Sequence, residues 1–168
     1  MRNLQVLRTL LLLLLWLLVG YSLVYILIIS ISLFNGETSI PYLNQGEPID
    51  FNRFTSLEIC FKIIGQFVFI YGILKLKKVV DQFAQLHIFD RKVIESLYVS
   101  GNAFIVSGVL MKFIEFMHQL VASAIPVWDI FDSYTPILFI IIIGLFLKIM
   151  AVVLRIGKGY KEENELTI

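Results

Sequence analysis

Four long stretches of the chain are almost wholly apolar, and polar residues gather in the gaps between them. The first stretch, about 9–34, holds no charged residue. Roughly 20 apolar residues cross the hydrocarbon core of a bilayer. A secretory leader has an apolar centre of only about 7–15 residues, so this stretch reads as a retained span. The others cover about 56–76, 97–119 and 134–154. In the second, the uncharged core Ile63–Leu74 is short, and only the residues with charged edges complete the length. The expected fold class is all-α: an integral membrane four-helix antiparallel bundle forming a single domain over residues 1–168.

The gaps predict the connections. Residues 35–53 carry Gly36, Pro41, Gly46 and Pro48 and read as a turn-rich loop. After the second span, Leu76, Val79, Val80, Phe83 and Leu86 recur at helical spacing among polar residues. That pattern predicts an amphipathic extension along a membrane surface. His87–Asp90 breaks it, with Asp90 placed to cap the next helix. Residues 121–133 read as a short connection in which Trp128 anchors at the interface and Val127–Phe131 lies on the surface. Trp16, Tyr21 and Tyr25 read as lipid-facing or packing residues.

Spans two and three mirror one another. Glu58, Lys62, Gly65 and Gly72 lie on one stripe of the second helix, because positions three, four and seven apart share a face. Gly101, Gly108, Lys112 and Glu115 form a stripe on the third, in reverse order. Small residues on such stripes let membrane helices approach closely. Antiparallel pairing is therefore expected to set Gly72 against Gly101 and Gly65 against Gly108. The charged pairs would then meet near one end, Glu58 with Lys112 and Lys62 with Glu115. Each unpaired charge at the bilayer centre costs roughly 2.5–3.5 kcal/mol. This intramembrane cluster reads either as neutralising glue or as a polar pocket for a small ligand or ion. On span four, Lys148 is expected to snorkel to the surface or to pair with Glu95.

Composition agrees with a membrane setting: 58% of residues are hydrophobic and 16% charged, against about 25% charged in soluble domains. The net charge of +1 predicts no direct nucleic-acid binding. Lys and Arg are unevenly distributed. Ten of the fourteen flank one side, at positions 2, 8, 75, 77, 78, 91, 92, 155, 158 and 161, and Arg53 stands alone on the other. The positive-inside rule then places both termini in the cytoplasm. The single cysteine, Cys60, excludes an intrachain disulfide and reads as a packing residue.

Spacings that carry known chemistry are missing. There is no HExxH, P-loop, GxSxG or Cys/His metal pattern. The scattered serines have no neighbouring base to activate them. The expectation is no enzyme, with no catalytic residue, metal or cofactor.

Two short motifs carry a resemblance. One is Ile88-Phe89-Asp90 through Leu97, followed by a small-residue span. The other is Leu154-Arg155-Ile156-Gly157, then Glu162 to Ile168. Together they resemble the bacterial membrane proteins grouped as domain-of-unknown-function family 2975. Where that family usually has Ser or Thr after the Phe, this chain has Asp90, which can still cap. The resemblance implies a small four-span protein of the bacterial cytoplasmic (inner) membrane, with the lipid bilayer as its surroundings. It also implies a gene often placed beside a small helix-turn-helix regulator, and it supplies no catalytic residue. The expected function is a non-enzymatic sensory or regulatory role. Loop 77–96 and tail 155–168 would meet a partner, with Lys161, Glu162, Glu163 and Glu165 as contact residues. The alternative is a small transporter or transport-accessory subunit using the charged cluster of spans two and three.

Overall fold

The computed structural model describes residues 2–35, 39–44, 47–50, 53–122 and 127–166. Side chains are described at 4–32, 34–35, 56–114, 116–117 and 135–165. Four helices carry the fold: α1 (Arg2–Phe34), α2 (Arg53–Ala84), α3 (Arg91–Ala122) and α4 (Val127–Leu166). Each contains a stretch long and apolar enough to cross a membrane. The expected spans lie inside these helices, which run further at both ends of α2, α3 and α4. The amphipathic stretch after span two continues α2 without a break. Residues 127–131, expected to lie on a membrane surface, are instead the first turns of α4. The side chain of Trp128 lies outside the described residues.

The loop 35–53 is more ordered than a turn-rich connection. It forms an antiparallel hairpin of β1 (Ser39–Asn44) and β2 (Glu47–Asp50). Ser39 pairs with Asp50, Ile40 with Ile49 and Asn44 with Glu47, and a bulge falls between Ile40 and Asn44. Each strand of a two-stranded ribbon has one free edge, so Pro41 and Pro48 can sit in it without removing a ladder donor.

The helices pack antiparallel and in chain order. α2 packs against α3, α3 against α4, and α1 more lightly along α2, with no extended seam from α1 to α4 among the described residues. The expected bundle is thus an open row, with α3 covered on two sides. Its main core gathers Ile73 and Val79 of α2, Val93, Leu97 and Phe104 of α3, and Leu147 and Ala151 of α4. α1 contributes Leu11, Leu15 and Leu18 to the border of that core. Near the hairpin end, Ile29 meets Ile59.

The glycines make close contacts, but with other partners than their spacing suggested. A methyl on Gly72 would sit 2.7 Å from the Phe104 ring and 3.1 Å from Ala103 Cβ. One on Gly65 would sit 2.8 Å from Met111 Cγ and 3.2 Å from the Ser107 carbonyl. The α2 glycines therefore meet the Ser100, Ala103, Ser107 and Met111 side of α3. Ser100 Oγ donates to the Gly72 carbonyl at 2.8 Å, a buried bond between helices. Gly101 faces α4 instead. Methyls on Gly101 and Gly144 would lie 2.6 and 2.7 Å from each other's carbonyl oxygens. Gly108 meets Ile141 and Ile137 of α4. Residues 100 and 101 are about 100° apart around a helix, so α3 has two small-residue sides, one for each neighbour.

Cys60 is exposed rather than packed. It shares the outward side of α2 with Leu57, Ile64, Phe67 and Tyr71. Trp16 and Tyr21 are exposed on α1, and Tyr21 stacks on Tyr25 at 6.2 Å.

α2 and α3 are joined by a tight turn. Leu86 N–H donates to the Phe83 carbonyl and His87 N–H to the Gln82 carbonyl, both at 3.1 Å. Leu86 has φ 63°. These two bonds make a Schellman ending with leucine where glycine is usual. Asp90 takes the N-cap position of α3, its carbonyl accepting from Val93 and Ile94.

Candidate functional site

Of the expected intramembrane cluster, the described side chains are Glu58, Lys62 and Lys112. Lys62 Nζ donates to Glu58 Oε1, one turn apart on α2. The two side chains remain 38% and 27% exposed. Phe61 stacks on Phe113 at 6.5 Å, which puts this pair level with residues 112–116 of α3. Lys112 is half-buried at that level. It lies one turn beyond Gly108, on the stripe whose glycines meet α4. The side chains of Glu115 and His118 lie outside the described residues. Lys148 places its ammonium 5.0 Å from the centroid of the Tyr98 ring, while Glu95 pairs with Arg91. A cation over an aromatic face is held by the ring quadrupole.

The partner-contact residues expected in the tail lie on a helix. α4 continues to Leu166, and residues 161–165 are exposed. Lys158 and Glu162 approach to 3.5 Å, Lys161 and Glu165 to 3.7 Å. Such exposed pairs one turn apart add about 0.3–0.5 kcal/mol each. They favour helix over coil in a segment that buries little.

At the same end of the row, residues far apart in sequence form a groove of about 310 Å³ between the start of α3 and the late turns of α4. Arg91, Ile94 and Glu95 line one side, Arg155 and Lys158 the other. The turn before α3 holds the two sides together. A methyl on Gly157 would stand 2.9 Å from Phe89 Cε1, so the ring lies on bare backbone. Ile94, 4% exposed, floors the groove. Arg91 Nε donates to Glu95 Oε1 at 2.8 Å, which fixes the guanidinium and leaves its terminal donors available. Among the described residues Arg155 makes no ion pair. Three cations thus face one carboxylate.

A family model described as Protein of unknown function (DUF2975) matches residues 54–168, more than half of the chain. The chain belongs to this family. Comparison with curated proteins and with solved structures gave no match. The stretch shared with DUF2975 begins in the first turn of α2 and takes in α3 and α4, so every groove residue falls inside it and α1 falls outside. The two motifs that carried the resemblance, 88–97 and 154–157, contribute to the two walls of the groove, and Lys158 completes the second. Sequence reasoning had named both without joining them. The available signal was their shared basic character at one end of two spans, Arg91 and Lys92 against Arg155 and Lys158.

The two polar places suit different tasks. The Glu58–Lys62 pair brings together one charge of each sign. The groove carries excess positive charge at a helix start, where anions are favoured. Among the described residues no three His, Cys, Asp or Glu side chains come together as metal ligands.

Proposed function

We propose that this DUF2975 protein is a non-enzymatic, multi-pass protein of the bacterial cytoplasmic membrane with a sensory or regulatory role. Both termini and the groove face the cytoplasm, and the last turns of α4 engage a small helix-turn-helix regulator. The asymmetry of Lys and Arg supports the orientation. The four membrane-length apolar helices support insertion.

The observation that carries the regulatory reading is the end of α4. Beyond the Phe89–Gly157 contact the helix goes on to Leu166, with residues 161–165 exposed. Such a helix offers a partner a surface that is already ordered, which lowers the entropy cost of binding. Its acidic residues, Glu162, Glu163 and Glu165, complement a basic partner such as a nucleic-acid-binding regulator. Deleting Lys161–Ile168 is expected to abolish capture of the regulator by the tagged full-length protein while membrane insertion persists. Unchanged capture after the deletion rules this role of the tail out.

A further inference from the structure

Arg91 and Lys92 occupy the first turn of α3, which contains no acidic residue. The partial positive charge of a helix start disfavours cations there. Arg155 and Lys158 approach the same turn from α4. Glu95 offsets one of the three lining cations and is itself 58% exposed. Lys158 has only a 3.5 Å contact with Glu162, whose side chain is 61% exposed. The lining of the groove thus carries three cations against one carboxylate, with the N-cap Asp90 and Glu162 at its border, and the Phe89–Gly157 contact joins its two walls.

We propose that the groove is a binding site for a phosphate group, presented by a phospholipid headgroup or by a soluble phosphate. Phosphate oxygens match the forked donors of guanidinium groups, which bind them in pairs. Arg155 supplies one fork and the terminal nitrogens of Arg91 supply another, held in place by Glu95. Lys158 adds a point charge, and the start of α3 adds the same sign of field through its helix dipole. At about 310 Å³ the groove is at the small end of ligand sites, and it has room for more than a bare phosphate. Ile94 is buried beneath it, while the Arg91 side chain is 82% exposed and free to reach a ligand at the groove mouth.

This inference rests on the membrane reading above for its lipid source, so binding and partner capture are measured separately. The test uses the full-length protein in a neutral detergent and native mass spectrometry with phosphatidylglycerol, phosphatidylcholine or inorganic phosphate. Phosphatidylglycerol is expected to be retained in preference to phosphatidylcholine. The double substitution Arg155→Gln with Lys158→Gln is expected to lower that retention about tenfold, as the loss of roughly one charge-assisted contact would. The double substitution Lys78→Gln with Lys161→Gln removes the same charge outside the groove and is expected to change retention less than about twofold, since screened surface charge acts weakly. Gly157→Leu, which displaces Phe89 without altering charge, is expected to weaken retention too. Helix content and melting by circular dichroism confirm that each variant is folded. Inorganic phosphate that displaces the lipid with the same variant dependence identifies a soluble phosphate as the source, and failure to displace it identifies the headgroup. Equal loss in both double variants, or equal retention of the two lipids without phosphate binding, overturns the site. If the unsubstituted protein retains neither phosphatidylglycerol nor phosphate while regulator capture survives, this inference alone fails.

Discussion

Helices α1 and α3 differ by one residue in length, yet 6% of the α1 span is buried against 39% of the α3 span. α1 is the more apolar of the two. In water the more apolar helix would be expected inside. Here the order is reversed, as suits a solvent of lipid chains, where apolar surface gains nothing by leaving the solvent. Close approach of backbones then decides packing. α3 offers Ser100, Gly101, Ala103, Ser107 and Gly108, all buried. α1 offers mainly leucines, with Ser22 and Ser32 as its buried small residues, and its one glycine, Gly20, would meet nothing within 4 Å if it carried a methyl. The stretch matched by the family begins in the first turn of α2 and takes in the closely packed helices. Hydrophobicity thus provides membrane-length segments, and small residues provide the seams between them.

The strongest way to break this contrast is to exchange its glycines. Gly101→Ala or Gly144→Ala drives a methyl against backbone, and is expected to cost about 1–3 kcal/mol. Gly20→Ala is expected to be neutral or to gain up to about 1 kcal/mol through helix propensity. Unfolding by SDS titration, followed by circular dichroism, compares the three variants. Similar costs at Gly20 and Gly101 would abolish the distinction. The turn that aligns α3 sharpens it next. Leu86 holds a left-handed backbone with its side chain 74% exposed, so Leu86→Gly is expected to stabilise by about 1–2 kcal/mol in the same titration. A loss of stability would mean that the exposed leucine makes contacts outweighing the backbone strain.

Serines offer a finer comparison. Ser100→Ala removes a buried hydrogen bond to the neighbouring helix and is expected to cost about 0.6–1.7 kcal/mol. Ser30 on α1 bonds only to the Ile26 carbonyl of its own helix, and Ser30→Ala is expected to stay within about 0.5 kcal/mol. The smallest effect lies at the α1–α2 boundary. Arg8 Nε stands 3.0 Å from Asp81 Oδ1, with side chains 57% and 31% exposed. The pair lacks hydrogen-bond alignment, since Asp81 Oδ1 is buried without a hydrogen-bond partner. A double-mutant cycle of Arg8→Gln and Asp81→Asn is expected to give about 0.2–1 kcal/mol, falling as salt rises. A coupling of zero at low salt would leave α1 held by apolar contact alone.

Much of the fold was legible because four apolar runs can satisfy their backbone groups in a membrane only as helices. The stripes were legible too, since periodicity states which residues share a side. It does not state which neighbour that side meets. Gly101 and Gly108 were paired with α2, but the adjacent Ser100, Ala103 and Ser107 side meets α2 instead. The two sides are equally small, and only the placement of α4 separates them. The hairpin at 39–50 was hidden by Pro41 and Pro48, which read as turn residues until the pairing of Ile40 with Ile49 is seen. Of the polar sites, the Glu58–Lys62 pair follows from spacing within one helix. The groove does not, because it needs the contact of Phe89 with Gly157, and no local pattern reports a distance between segments so far apart.

Serial packing bears on how the molecule is assembled. Each seam joins a helix to the one synthesised just before it, so contacts accumulate in the order in which the segments emerge. Chains dominated by near-neighbour contacts fold faster than those that must first close large loops. α2 can settle on α1, α3 on α2 and α4 on α3, with no step waiting for the two ends of the chain to meet. The basic groove is then the last feature completed, when the final turns of α4 reach Phe89.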